Sequence, residues 1–142
     1  MHMKRTTWKE YDYKIQAGPG MSWVHRPLIG IEVWAIGKSE RVPTLAMIDS
    51  GTDGTVLHAD IAEALGIDGS RCKKGVLGGI GSLEGFYIEV KIVVPDFKVT
   101  YKTPVFFGKN LPMDGLLGQA TFFPKFKIRF EKDRNKFFMA AV

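Results

Sequence analysis

The chain has 142 residues, 45% of them hydrophobic, with 20 lysines and arginines against 15 aspartates and glutamates for a net charge of +5. That length suits one globular domain around one core, and no apolar run reaches the roughly 18 residues a membrane-spanning helix needs. A single cysteine, Cys72, excludes an internal disulfide, and the histidines at 2, 25 and 58 lack metal-ligand spacing, so neither a metal nor any other cofactor is expected. Met1 to Glu10 carries basic residues with no apolar stretch behind them, which argues against a secretory signal and makes the cytoplasm the expected location.

In chain order, residues 1–27 predict an N-terminal arm or an additional strand, with Gly18-Pro19-Gly20 as turn material. Leu28 to Ile36 predicts a strand ended by Gly37-Lys38-Ser39-Glu40, and Thr44 to Ile48 the next, joined to it by a hairpin. Ala59 to Leu65 has helical spacing, stopped by Gly66. Tyr87 to Val94 and Val99 to Phe107 are two further strands around Pro95-Asp96, and Gln119 to Phe123 suggests a second short helix. Lys125 to Phe130 then pairs with Lys136 to Met139 across Asp133-Arg134-Asn135. Strands at this density predict an all-β sandwich or small barrel.

Much of the positive charge lies in Lys125, Lys127, Arg129, Lys132, Arg134 and Lys136, which alternate with Phe126, Ile128, Phe130 and Phe137. This is the pattern of a half-buried strand with a charged outer face, and no nucleic-acid partner is expected from it.

Three further segments stand in a telling order. Met47-Ile48 runs into Asp49-Ser50-Gly51-Thr52, about thirty residues before the glycine-rich Gly75-Val76-Leu77-Gly78-Gly79-Ile80-Gly81-Ser82. The glycines there suit the mobile tip of a hairpin better than a packed strand. Asp114-Gly115-Leu116-Leu117-Gly118 follows. In this order the three segments resemble the retropepsin-like aspartic proteases, over roughly residues 28–140.

The resemblance implies a small closed barrel of the acid-protease type with one or two short helices and a flap hairpin, occupying residues 28–142. It implies an aspartic endopeptidase acting on protein or peptide substrates, with Asp49 catalytic and Ser50, Gly51 and Thr52 supporting its loop. Gly51, Asp53, Gly79 and Ile80 would contact substrate, the last two from the flap. By the same resemblance Ser50 reaches across a two-fold axis to bond the partner's backbone, whereas a turn-stabilising role for it is compatible with that.

Metal-free peptide hydrolysis needs one group to activate water and another to protonate the carbonyl, which two adjacent carboxylates sharing a proton supply. This chain has one Asp-Ser-Gly; Asp68-Gly69-Ser70 is the nearest other match and reverses the order. The second carboxylate must come from a second copy, in a homodimer with a two-fold axis through the site. A catalytically silent dimer that holds peptide or mediates assembly is the alternative on the same fold.

Three departures from the retroviral pattern stand out. Gln119 replaces the arginine that pairs with the acid matching Asp53, Gly54 replaces a second acid found in some members, and a whole hairpin, Phe126 to Met139, replaces a single terminal strand. His58, alone after Leu57, is expected to be structural.

Overall fold

A computed structural model describes residues 5–18, 20, 22–79 and 81–142. Three strands come first: β1 (Lys9–Asp12), β2 (Lys14–Ala17) and β3 (Trp23–Arg26). Then follow β4 (Leu28–Ala35), β5 (Arg41–Ile48), β6 (Thr55–His58), helix α1 (Ala59–Ala64), β7 (Lys73–Gly79) and β8 (Gly81–Val94). The chain ends with β9 (Val99–Gly108), β10 (Gly115–Leu117), β11 (Phe126–Glu131) and β12 (Lys136–Ala141).

Six strands close on themselves. The order β4-β5-β10-β6-β9-β8 returns to β4 through a β4–β8 pairing, so the sheet becomes a barrel without free edges. The period-2 pattern drives closure: Ile29, Ile31, Val33 and Ala35 of β4 point inward, as do Val90, Ile92 and Val94 of β8. Tyr101, Thr103, Val105 and Phe107 of β9 complete that wall. Between β8 and β9 the backbones approach closely at Gly85, where a Cβ would lie 2.0 Å from the Phe107 carbonyl oxygen. Only glycine fits there. β7 lies outside the closed ring, paired to β8 from Lys73↔Tyr87 to Gly79↔Gly81, so the glycine-rich segment is a paired two-stranded hairpin up to its turn.

A second, three-stranded sheet has the order β1-β12-β11. Its apolar side is fastened to the barrel by Phe126, Phe137 and Met139, all buried. The Phe126 ring centroid lies 4.8 Å from that of Phe122 and 5.2 Å from that of Phe97, and Tyr11 stacks on Phe137 at 5.0 Å. The expected alternation holds along β11 until Phe130, which is 40% exposed instead of buried. Phe130 lies two residues before the turn at Lys132–Arg134, at the end of the strand. On the outer side Arg129 is held 5.2 Å from the Trp8 ring centroid and 4.2 Å from that of Phe138, and pairs with Glu131 at 3.2 Å. Among the described residues β2 and β3 pair only with each other, leading into β4.

Helix α1 starts at His58, whose Nδ1 accepts from the Asp60 N–H at 3.0 Å, and stops before Gly66, which takes φ +72°. The second helix expected over Gln119 to Phe123 does not form. Residues 119–122 are a turn, followed by a single 3-10 turn, Phe123–Lys125. Pro124 has no N–H to continue the ladder begun by the Phe122 N–H bond to the Gly118 carbonyl at 3.1 Å. Among the described residues no helix is long and apolar enough to cross a membrane.

Candidate active site

The arrangement around Asp49 is built by one strand threaded between two others. β5 and β6 are joined by residues 49–54, yet they are not neighbours; β10 lies between them, parallel to β5 (Leu116↔Met47, Leu117↔Ile48) and antiparallel to β6 (Gly115↔Leu57, Leu116↔Val56). The connecting loop therefore passes over the end of β10. Ala46 and Ile48 are buried beneath it, as are Leu57 of β6 and Leu117 of β10, so the loop stands on a packed apolar floor.

The loop is pinned to β10 and to the turn after it. The Asp49 N–H donates to the Leu117 carbonyl at 3.0 Å, the Gln119 N–H to the Thr52 carbonyl at 2.8 Å and the Ala120 N–H to the Asp53 carbonyl at 2.7 Å. The close approach needs Gly118, where a Cβ would sit 2.3 Å from the Gly54 carbonyl oxygen and 2.4 Å from that of Thr52. Gln119 makes one more contact that the sequence did not announce: its Nε2 donates to the Ser50 carbonyl oxygen.

Asp49 is half-buried. Its Oδ1 accepts from the Gly51 N–H at 2.9 Å and its Oδ2 from the Thr52 hydroxyl at 2.8 Å. Both oxygens are thus oriented by their own loop, and among the described residues no lysine, arginine or histidine pairs with them. A carboxylate has about four lone-pair positions and these bonds use two, so acceptor capacity remains for water or a second group. Ser50 and Asp53 are exposed on the same loop, and neither side chain has a hydrogen-bond partner among the described residues. Thr55, just beyond the loop, exchanges a 2.8 Å hydroxyl bond with Thr121, tying β6 to the same turn.

A cleft of about 480 Å³ opens beside the loop. Gly51 and Asp53 form one side of it, and Leu77, Tyr87, Pro104 and Phe106 give it an apolar wall. Leu77 belongs to β7, so the β7–β8 hairpin supplies part of that wall. A larger cavity of about 650 Å³ lies on the other side of the hairpin base, against Gly69, Lys74, Gly75, Phe86 and Lys109. It touches no residue of the 49–54 loop, and size alone does not make it the reactive site.

The structure thus gathers Asp49, Ser50, Gly51, Thr52 and Asp53 in one loop. Gly79 sits at the far end of the β7–β8 pairing, opposite Gly81, while Ile80 lies outside the described residues. The sequence reading missed Tyr87, Pro104 and Phe106 as cleft residues and missed the Gln119 contact; alternation marks Tyr87 and Phe106 as strand residues but carries no sign of what they face. Among the described residues no group of three His, Cys, Asp or Glu side chains could hold a metal ion.

No protein-family model and no curated protein matches the sequence. Solved structures do. A retropepsin-like aspartic protease from Rickettsia conorii aligns over 98% of this chain and 97% of its own at 19% identity, with a TM-score of 0.58. The EIAV protease in complex with the inhibitor HBY-793 aligns over 66% of this chain and 81% of its own at 24% identity (TM-score 0.47). The retroviral protease-like domain of Ddi1 from Leishmania major aligns over 76% and 84% at 18% identity (TM-score 0.48). The near-complete overlap with the Rickettsia protein establishes the fold.

Proposed function

We propose that this chain, which has the retropepsin-like fold, is an aspartic endopeptidase whose catalytic pair is Asp49 from each of two copies. The observation that carries the reading is the dressing of Asp49: a carboxylate at the open end of a barrel strand, with each oxygen aimed by a donor of its own loop and, among the described residues, no cation to neutralise it. The turn aspartate Asp68 is likewise bonded by the N–H and hydroxyl of Ser70 but has Arg71 at 3.6 Å, whereas Asp49, on the loop beside the cleft, has no cation among the described residues.

In the proposed mechanism two Asp49 carboxylates meet across a two-fold axis and share one proton. The ionised member takes a proton from water as the water attacks the scissile carbonyl, and the protonated member donates to the carbonyl oxygen. As the C–N bond breaks, the carboxyl that took its proton from water gives it to the leaving amine, and the other carboxylate takes a proton back from a hydroxyl of the intermediate, which restores the singly protonated pair. Ser50, with its exposed hydroxyl, is placed to bond the partner's backbone, and Thr52 holds Asp49. Gly51 and Asp53 contact substrate backbone from below. The β7–β8 hairpin acts as the flap, with Gly79 and Ile80 at its tip, closing over the peptide and excluding water.

The substrate is an extended protein or peptide segment. The apolar wall of Leu77, Tyr87, Pro104 and Phe106 selects large apolar side chains near the cut. No metal or cofactor takes part, and a chelator leaves the rate unchanged. The rate follows a bell on the acid side of neutrality, because the pair is idle when both carboxylates carry a proton or neither does. The other reading on the same fold is a silent dimer that holds peptide.

A subunit-mixing experiment separates the two. An Asp49→Asn chain keeps the shape of the site and loses only the ionisable group. After exchange with a roughly fivefold excess of it, about one wild-type subunit in six keeps a wild-type partner, and activity falls to about that fraction. Activity that tracks the amount of wild-type chain, in a sample shown to have exchanged, rules out a shared pair.

A further inference from the structure

The peptide unit between Ser50 and Gly51 is held from both sides. Its N–H, on Gly51, donates to Asp49 Oδ1 at 2.9 Å, and its carbonyl, on Ser50, accepts from Gln119 Nε2. None of the described peptide bonds is cis. In a trans unit the carbonyl and the N–H point in opposite directions within one plane. Gln119 therefore stands at one edge of that plane and the Asp49 carboxylate at the opposite edge. Any rotation that carries the N–H off the carboxylate also pulls the carbonyl away from Gln119.

Gln119 is itself fixed in relation to the loop. Its backbone N–H reaches the Thr52 carbonyl at 2.8 Å, and the next N–H, on Ala120, reaches the Asp53 carbonyl at 2.7 Å. Gly118, where the chain touches the loop from below, leaves no room for it to slide. The side chain is a third anchor on the same loop, and the one aimed at the peptide unit that touches Asp49.

We infer that Gln119 is a positioning residue for Asp49, acting through the Ser50–Gly51 peptide plane: it fixes the plane's orientation and, by donating to its carbonyl, makes the Gly51 N–H a stronger donor to the carboxylate. Hydrogen bonds linked through one amide polarise each other in this way. The inference rests on the endopeptidase reading for its catalytic consequence but not for its physical content, since the polarisation of the Gly51 amide exists whether or not peptide is cut. The ionisable side chains on the loop that Gln119 packs against are Asp49 and Asp53.

Two variants test it. Gln119→Met keeps the length and removes the donor; Gln119→Glu keeps the shape and can donate only while its carboxyl is protonated, below a pH of about 4.3 for an unperturbed group. The readouts are the Gly51 amide proton resonance and the kcat and KM for cleavage of unfolded casein, with dimer content followed by sedimentation. In Gln119→Met the Gly51 resonance moves upfield and kcat falls about tenfold at every pH, with KM and dimer content unchanged. In Gln119→Glu both readouts match wild type at low pH and fall to the Gln119→Met level as the introduced carboxyl ionises. A Gly51 resonance unmoved in both variants overturns the inference, as does a loss of activity that follows loss of dimer with no change in pH profile. An Asp49→Asn control assigns the failure: if it is inactive while both Gln119 variants behave as wild type, only this inference falls. If Asp49→Asn cuts casein as wild type does, the endopeptidase reading falls with its catalytic consequence, and the Gly51 resonance still decides the polarisation.

Discussion

Gly118 passes beneath Gly54 so closely that a methyl group on its Cα would lie 2.3 Å from the Gly54 carbonyl oxygen. No side-chain rotation relieves that contact, because both partners are backbone. Gly118→Ala must therefore lift the 49–54 loop off β10, stretching the bonds from Gln119 and Ala120. The expected outcome is a loss of about 1–3 kcal/mol in urea unfolding and loss of casein cleavage, with the barrel's far-UV spectrum retained. A variant as stable and as active as wild type would show that the loop is not seated as described.

Thr52 is the second handle on Asp49. Thr52→Val keeps the volume and removes the hydroxyl bonded to Oδ2, leaving the carboxylate free to turn about its remaining Gly51 bond. We expect kcat to fall about tenfold or more while KM changes little, and stability to drop by only about 1 kcal/mol because the site is partly exposed. Thr52→Ser restores the hydroxyl and most of the activity. Equal losses in the valine and serine variants would assign Thr52 a packing role instead.

Tyr101 presents a different kind of cost. Its hydroxyl is buried and has no hydrogen-bond partner among the described residues. Burial pushes its ionisation well above the ordinary phenol value, since the anion would lie in the core. A folded-state pKa above the unfolded one means that the native chain holds its proton longer. The associated stability is present below the unfolded value near about 10, and is lost as pH rises through the folded value. Tyr101→Phe should leave stability unchanged or raise it by about 1 kcal/mol at neutral pH, and flatten the decline above about pH 10. Urea midpoints measured at neutral and alkaline pH check both parts; a clear loss at neutral pH would mean that the hydroxyl is satisfied.

Because one chain offers a single Asp-Ser-Gly, activity should fall on dilution more steeply than protein concentration, with sedimentation showing dimer wherever activity is full. Full activity in a strictly monomeric sample would refute the paired-carboxylate reading.

The parts of this architecture that were legible in the sequence are those whose cause is local. Ile29, Ile31 and Val33 alternate because one face of β4 meets the core, and that period can be read without knowing what lies opposite. Asp49-Ser50-Gly51-Thr52 reads on its own as a turn and stood out only through its order with the glycine-rich segment and Leu116-Leu117-Gly118, and the resemblance that order carries. Gln119 was visible only as a departure from an expected arginine. Its bond to the Ser50 carbonyl spans 69 residues and exists only because β10 is threaded between β5 and β6. The turn at residues 119–122 misled because its helical composition covers barely one turn before Pro124 ends the ladder. Phe130 fits the β11 alternation perfectly well and still lies exposed, since alternation says which side a residue faces and not whether anything covers that side.

The pairing of β1 with β12 sets an order of events in time. Glu10 and Lys136, whose side chains pair diagonally across that junction, are separated by 126 residues, whereas the barrel's β8–β9 pairing joins strands adjacent in the chain. Emerging from a ribosome, β1 must wait for nearly all of the chain, and through that interval Tyr11 has no Phe137 to stack on. β8 and β9 find each other early, whereas the β1–β12 pairing comes last and carries the larger loop-closure entropy. The outer sheet is therefore the part of the molecule most exposed to misassembly during synthesis, and the part a folding helper would have most reason to shield.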